Sequence, residues 1–136
     1  MPTNIYVDTN IVIDICDIKR PEHHASLSLV QAYLKEGRLF INSDTLATLF
    51  YVLRNRVKFS LEETLERMYF VYDIFTVVAV DEHIFLQGLQ LCSSGTSSDY
   101  EDAVQYMCAK KINADVIVTN DQNFVSEDIE IVRTRA

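Results

Sequence analysis

The sequence predicts an α/β fold in which a mostly parallel sheet is covered by helices on both faces. Short apolar runs rich in β-branched residues alternate with longer segments whose apolar residues recur at helical spacing. Such alternation is typical of parallel sheets, because a crossover between parallel strands is usually a helix. The 136 residues, 49% of them hydrophobic with only three Gly and two Pro, suit one compact core. We therefore expect a single domain over residues 1–136, arranged as a three-layer sandwich.

Five segments have the composition of strands. They are residues 4–7, 38–42, 75–80, 116–119 and 130–132. Each is short and apolar and contains Val, Ile or aromatic residues, which are common in strands.

Six segments have helical spacing or residues that favour helix ends. They are a helical turn after residue 10, residues 21–36, a helix capped by Ser43 or Asp44 and running to residue 56, residues 60–73, a helix from residue 81 to between residues 88 and 93, and residues 99–111. Pro21 suits the first position of its helix, and Gly37 suits the position just beyond the end. Ser60 followed by Glu63 is a capping-box pattern, and Asp81 is a favourable N-cap.

Composition limits the environment and the partners. Cys16, Cys92 and Cys108 are an odd, widely spaced set, which predicts free thiols in a reducing cytoplasm. Residues 1–4 lack a signal-peptide pattern, and no apolar run approaches the ~20 residues needed to span a bilayer. We therefore expect a cytoplasmic protein without membrane contact. The net charge of −8 opposes strong nonspecific binding to nucleic acid, but it is compatible with a small catalytic groove that holds a cation.

Three acidic residues stand where a parallel sheet would bring them to one edge. Asp8 ends the first strand, Asp121 follows the strand that ends at Thr119, and Asp102 lies in the first turn of a predicted helix. Ligand sites of open α/β sheets collect at the carboxyl ends of the strands. Converging carboxylates repel one another, and a hard divalent cation relieves this repulsion. The pattern predicts a metal site, with Asp99 as a supporting acid one helical turn from Asp102.

Each acid also has a purely structural interpretation. Asp8 suits an Asx-type cap, and acids in the first turn of a helix, such as Asp99 and Asp102, complement its dipole. No Ser/His/Asp or Cys/His arrangement competes with the acidic set. His23 and His24 are adjacent on a predicted helix and therefore do not face the same way.

The ordered set of motifs resembles the PIN-domain family. It consists of VDTN at residues 7–10, SDTLA at 43–47, DYEDAVQ at 99–105, VIVTND at 116–121 with Phe124, and IEIV at 129–132. The resemblance covers nearly the whole chain and implies a PIN-like sandwich and a metal-dependent ribonuclease. It also implies similarity to the VapC-like toxins of this family. An antitoxin holds such toxins inactive, and they commonly form homodimers.

The resemblance implies a role for individual residues. Asp8, Asp102 and Asp121 correspond to the first, third and last acids of the family, which bind Mg²⁺ or Mn²⁺ and hydrolyse RNA phosphodiester bonds. Asn10 resembles the small polar residue that sets the first acid, and Thr119 resembles the hydroxyl residue before the last acid.

The chain departs from the family at the second acid, where Thr48 replaces Glu. Asp44 lies one helical turn earlier, on the same side as Thr48, and either replaces the missing carboxylate or caps the helix. Thr48 motivates a second hypothesis, in which the fold is a catalytically weakened nucleic-acid-binding or regulatory module. A haloacid-dehalogenase-like phosphatase is disfavoured, because it needs an acid where this chain has Asn10.

The helices over residues 43–56 and 60–73 carry more large apolar side chains than a small domain readily buries. These side chains are Phe50, Tyr51, Leu53, Met68, Tyr69, Phe70 and Tyr72. They either fill the core or form an interface. Together with the family resemblance, they predict a homodimer that uses this surface.

Overall fold

The computed structural model describes residues 3–134 and has a five-stranded sheet at its centre. The strands are β1 (Thr3–Val7), β2 (Gly37–Asn42), β3 (Thr76–Val78), β4 (Val116–Val118) and β5 (Glu130–Val132). Their order in the sheet is β3-β2-β1-β4-β5, and every pair of neighbours is parallel. The predicted parallel α/β architecture is confirmed.

Six helices connect the strands within residues 3–134. They are α1 (Thr9–Cys16), α2 (His23–Leu34), α3 (Ser43–Asn55), α4 (Leu61–Ile74), α5 (Glu82–Ser93) and α6 (Tyr100–Lys111). The helical turn expected after residue 10 is a full helix of eight residues. The capping box of Ser60 and Glu63 is present at the start of α4, and Asp81 caps α5 by accepting a hydrogen bond from the Ile84 N–H.

Three predicted helix ends are wrong. Pro21 is not the first residue of its helix, because residues 18–22 form turns and a bend and α2 begins only at His23, after an N-cap at Glu22. Asn42, rather than Ser43 or Asp44, caps α3: its side-chain oxygen accepts a hydrogen bond from the Thr45 N–H at 2.9 Å. The reason is that β2 runs directly into α3, so its last residue occupies the cap position. Gly37 does not end α2 but begins β2, where a Cβ atom would lie 1.9 Å from the carbonyl oxygen of Thr3 on β1. The close approach of these backbones requires glycine at this position.

The sheet separates two hydrophobic layers. Ile5 and Val7 of β1 belong to a core cluster that includes buried residues of α1, α2, α3 and α4. Tyr6, between them, belongs to a second cluster that includes buried residues of α5 and α6. This alternation along a strand places four helices on one face and two on the other, which is the expected three-layer arrangement.

The parallel sheet brings the chemically useful residues to one edge. Asp8 follows β1, Asn42 ends β2 and Thr119 follows β4, and these three strands are neighbours. All three residues are buried. The carboxyl edge of the sheet is therefore the place to look for a site.

The structure also describes the cysteines and the helices that were considered for membrane spanning. Cys16, Cys92 and Cys108 are free cysteines. Among residues 3–134, no helix has the length and apolar character to cross a bilayer.

Candidate active site

Asp8 occupies the centre of the carboxyl edge and is only 2% exposed. Its Oδ1 accepts a hydrogen bond from Nε2 of Gln105 at 2.7 Å, and its Oδ2 accepts one from Oγ1 of Thr119 at 2.6 Å. Asp8 occupies the N-cap position of α1 but its side chain makes no hydrogen bond of the regular capping type. The Asn10 backbone N–H lowers its pKa through a hydrogen bond, so an Asx-type contact accompanies the two stronger ones. Burial raises the pKa of Asp8, while the hydrogen bonds from Thr119 and Gln105 oppose that rise because they favour the charged form.

Gln105 is held by a buried polar network, and its role was not anticipated from the sequence. Its Oε1 accepts hydrogen bonds from the Thr9 N–H at 3.0 Å and from the Tyr6 hydroxyl at 3.3 Å. The Tyr6 hydroxyl accepts in turn from Nδ2 of Asn42 at 2.8 Å. With its oxygen occupied in this way, the amide presents its nitrogen to Asp8. Within residues 3–134, every buried side-chain nitrogen or oxygen has a hydrogen-bond partner, so the network is fully satisfied.

The carboxyl groups of Asp102 and Asp121 lie within hydrogen-bonding reach of each other, beside Asp8. Asp102 is buried at the start of α6, and its pKa is raised by burial and by the hydrogen bond and charge of Asp121, with a further contribution from the charge of Asp8. The pKa of Asp121 is lowered, because the carboxyl group of Asp102 donates to it. Like charges in a cluster of acids should raise the pKa of each acid; this holds for Asp8 and Asp102, but it is wrong for Asp121, whose pKa is lowered.

Thr119 connects the first acid to the last. Its hydroxyl donates to Asp8 and accepts a hydrogen bond from the Asp121 N–H at 3.0 Å. Asn10, which was expected to set Asp8, contributes through its backbone N–H, whereas its side chain is exposed and lines a cleft beside Asp121. Gln105 and Thr119 are the side chains that hold Asp8.

Asp99 is the N-cap residue of α6, and its carboxylate bonds to the backbone of the helix rather than to another acid. Its Oδ1 accepts a hydrogen bond from the Asp102 N–H at 3.1 Å, and the side chain is exposed. Its charge contributes to the raised pKa of Asp102. The structural interpretation therefore holds for Asp99, which fixes the turn that carries Asp102.

A cleft of about 290 Å³ next to this network holds Thr48 and a carboxyl group that sequence reasoning missed. The cleft is lined by Thr9, Asn42, Asp44, Thr45, Ala47, Thr48, Tyr100, Glu101 and Val104. Burial raises the pKa of Glu101, a hydrogen bond with Thr9 opposes this, and the charges of Asp8, Asp99 and Asp44 raise it further. The only signal in the sequence was the position of Glu101 directly before Asp102.

Comparison with known proteins decides the family. The PIN domain matches this chain over residues 5–128. The chain belongs to the PIN domain family. It is 30% identical over 132 residues to ribonuclease VapC1 of Aquifex aeolicus (strain VF5), covering 96% of this chain and 90% of that protein.

Solved structures of low sequence identity have the same fold. The Mycobacterium tuberculosis toxin VapC20, which cleaves the sarcin-ricin loop, aligns with a TM-score of 0.75 at 15% identity, over 88% of this chain and 92% of that one. Salmonella typhimurium VapBC, solved bound to DNA, aligns with a TM-score of 0.69 at 22% identity, over 98% and 99% of the two chains. The predicted resemblance to VapC-like PIN domains is confirmed.

The donors of this PIN domain suit a hard cation in their chemistry, but they are not preformed as a metal site. Carboxylate oxygens are the ligands that Mg²⁺ takes in proteins. No group of three or more His, Cys, Asp or Glu side chains in the described part of the chain is arranged to hold a metal ion. Both oxygens of Asp8 are hydrogen-bonded, and the carboxyl group of Asp102 is within hydrogen-bonding reach of Asp121. A cation that binds here would compete with these hydrogen bonds.

The position of the missing second acid is also clear in the PIN domain. Thr48 and Asp44 line the same cleft, so Asp44 faces the region where the family has Glu. Glu101 enters this cleft from α6 rather than α3. Two carboxyl groups therefore lie near the position where Thr48 supplies none.

Proposed function

We propose that this PIN domain is a metal-dependent endoribonuclease and the toxin of a toxin–antitoxin pair. The observation that carries the proposal is the buried, fully hydrogen-bonded Asp8, which Thr119 connects to Asp121 and beside which Asp102 is buried at the start of α6. A structural role does not require three carboxyl groups to be brought together at a cost in repulsion and desolvation. RNA is supported as the substrate by the relative named as a ribonuclease, which aligns with almost the whole chain.

Asp8, Asp102 and Asp121 would hold Mg²⁺ or Mn²⁺, which supplies Lewis-acid stabilisation of the phosphate and an activated water when bound. Gln105 and Thr119 fix the carboxylate of Asp8 so that it need not reorganise. As a ligand, Asp102 would be in its charged form. Asp99 holds the first turn of α6, so that Asp102 stays next to Asp121.

A cleavage assay with Asp8→Asn tests this proposal. We expect the wild type to cut single-stranded RNA with Mg²⁺ or Mn²⁺ but not with chelator. Asp8→Asn keeps the shape of the side chain and removes its charge, so it should lower the rate at least about 100-fold, as loss of a group essential to a metal site does. Asp73→Asn is the matched control, because Asp73 is exposed near the opposite edge of the sheet, before β3. Equal cleavage by Asp8→Asn and wild type would contradict the assignment.

Thr48 favours one alternative, a catalytically weakened module. In that case the protein binds Mn²⁺ and RNA but does not cleave under any metal condition. The same assay, combined with calorimetric titration of Mn²⁺, separates the two functions.

An antitoxin and a second copy of the chain are the proposed protein partners. Structural neighbours include VapBC2 of Rickettsia felis, solved with a DNA fragment from the promoter, which supports an antitoxin partner. The helix pair α3–α4 keeps a cleft of about 310 Å³ lined almost wholly by apolar atoms of Leu46, Leu65, Met68, Tyr69 and Tyr72. We propose this face as the homodimer surface.

A further inference from the structure

A second cleft borders Asp121, where the loop after α1 approaches the loop after β4. Its volume is about 240 Å³, and it is lined by Asn10, Asp14, Arg20, Glu22, Asn120 and Asp121. Among these lining residues, which all belong to the described part of the chain, Arg20 is the single cation. Asp121 belongs both to this cleft and to the acidic centre, so Arg20 lies beside the proposed reaction site.

Arg20 is oriented by a buried acid. Its Nε donates to Oδ1 of Asp14 at 2.7 Å, and Asp14 is only 3% exposed. Oδ2 of Asp14 accepts a hydrogen bond from the Ser26 hydroxyl at 2.8 Å, so both carboxylate oxygens are engaged. The Asp14 backbone carbonyl also contacts Nδ1 of His23 at 2.8 Å. Asp14 is therefore a rigid anchor.

The guanidinium group of Arg20 has donors that suit a further ligand. Its contact with Asp14 uses Nε, and the group carries four more N–H donors on its terminal nitrogens. The Arg20 side chain is 35% exposed, so these donors are not enclosed by the fold. A planar fork of donors matches two oxygens of a phosphate.

We propose that Arg20 binds a backbone phosphate of the RNA strand next to the phosphodiester that is cut, with Asp14 as its positioning residue. This inference rests on the proposed ribonuclease function. In a chain with a net charge of −8, an RNA strand that approaches carboxylates needs local cations. Arg133, which donates to the Asp121 backbone carbonyl at 3.3 Å, is one of them, and Arg20 supplies another from the cleft. A bound strand would thus be held on one side of Asp121 by a fixed guanidinium group.

The rival interpretation is a purely structural ion pair that joins α1 to the loop before α2. Such a pair affects the stability of the fold but not the number of phosphates that the protein neutralises. The salt dependence of RNA binding separates the two. The slope of log affinity against log salt becomes shallower by about 0.7 for each phosphate of a single strand that the protein no longer neutralises.

The experiment measures binding of a labelled, short single-stranded RNA by fluorescence anisotropy across a salt series. Ca²⁺ replaces Mg²⁺ to limit cleavage, and a parallel series contains chelator. We expect Arg20→Gln to weaken binding about tenfold and to make the slope shallower by about 0.7. Arg38→Gln is the matched control for charge, because Arg38 is exposed at the amino end of β2, at the opposite edge of the sheet.

Two further variants guard against a folding defect. Arg20→Lys keeps the charge and loses the fork, so it should keep the slope and bind several-fold more weakly. Asp14→Asn keeps the charge of Arg20 but weakens the contact that orients it, so this variant should also keep the slope and bind RNA several-fold more weakly. Circular dichroism verifies that each variant is folded.

The outcomes distinguish the two proposals. A wild type that binds no RNA in either series contradicts the ribonuclease function and, with it, the role of Arg20. A wild type that binds RNA while Arg20→Gln keeps its affinity and slope, or while Arg38→Gln weakens binding as much, overturns the role of Arg20 alone. If Arg20→Gln does not fold, unchanged affinity of Arg20→Lys and Asp14→Asn overturns it.

Discussion

At the scale of single residues, Asp8 is stabilised as a buried carboxylate by donors from distant parts of the chain. Gln105 on α6 and Thr119 after β4 each donate to one of its oxygens. Removing one donor leaves a buried acceptor without a partner, which costs more than the hydrogen bond itself contributes. Substitution of Gln105 or Thr119 should therefore affect both the stability of the fold and the properties of the Asp8 carboxylate.

We predict that Gln105→Ala lowers the free energy of unfolding by about 1–3 kcal/mol and also lowers the cleavage rate. The substitution removes the donor to Asp8 and the acceptor for the Thr9 N–H. Urea denaturation followed by circular dichroism measures the stability. Gln90→Ala serves as the control, because Gln90 is an exposed residue of α5. An equal effect of the two substitutions would contradict the role of Gln105.

We predict that Thr48→Glu tightens Mn²⁺ binding and raises the cleavage rate. The new carboxylate enters the cleft that already holds Asp44 and Glu101, where added negative charge favours a cation. Without metal, the same repulsion should lower the melting temperature. Calorimetric titration and thermal unfolding with and without Mn²⁺ measure both effects.

Thr48→Gln is the control for that substitution, since it has the same shape without the charge. If Thr48→Glu and Thr48→Gln bind Mn²⁺ equally, then Asp44 or Glu101 already supplies the carboxylate, or the cleft takes no part in metal binding.

The residues that the sequence identified share one property. Asp8, Asp102 and Asp121 follow strands or begin a helix, so topology alone assigns them to one edge of the sheet. Gln105 and Glu101 were missed because their roles depend on side-chain directions between elements far apart in sequence; Gln105 and Asp8 are separated by 97 positions. Hydrophobic patterns contain no information on such directions.

At the scale of elements, local chemistry fixed the helix starts where the chain makes its own cap. The capping box of α4 and the Asp81 cap of α5 depend on residues within one turn and were predictable. The cap of α3 and the role of Gly37 were not, because both depend on β2 and its neighbour β1. Tertiary contacts therefore decided the ends that the local sequence could not.

The capping box makes the stability of α4 depend on pH. Hydrogen bonds with Ser60 lower the pKa of Glu63 below its ordinary value of 4.5, so the folded state favours the charged carboxylate. A group whose pKa is lowered by folding stabilises the fold above its unfolded pKa, and this contribution is lost as pH falls through the folded pKa. We predict that Glu63→Gln melts at a lower temperature than the wild type at neutral pH, and that the gap narrows below pH 4.5.

Thermal unfolding across that pH range measures the gap. Glu62→Gln is the control, because Glu62 lies in the same first turn but is not the reciprocal partner of Ser60. A gap for Glu63→Gln that does not change with pH would show that the charge of Glu63 is irrelevant.

At the scale of the whole molecule, helices α3 and α4 leave several large apolar side chains exposed to solvent. Of the large apolar residues on α3 and α4, Leu53 is buried and Met68 is half-buried, whereas Phe50, Tyr51, Tyr69, Phe70 and Tyr72 are exposed. The interpretation that most of them fill the core is therefore wrong. Tyr69 and Tyr72 are 69% and 66% exposed and adjoin the apolar cleft. Large exposed apolar patches on soluble proteins mark interaction sites.

We predict that the protein is a homodimer through the α3–α4 face and that Tyr69→Glu converts it to a monomer. A glutamate at the centre of an apolar interface loses its hydration without gaining a partner, so the association constant of the dimer should fall strongly. Multi-angle light scattering at micromolar concentration gives the mass of each variant. Leu86→Glu is the matched control, because Leu86 is an exposed apolar residue of α5, on the other face of the sheet. A monomeric wild type contradicts the prediction, and a Tyr69→Glu protein that stays dimeric while Leu86→Glu dissociates would place the interface on the opposite layer.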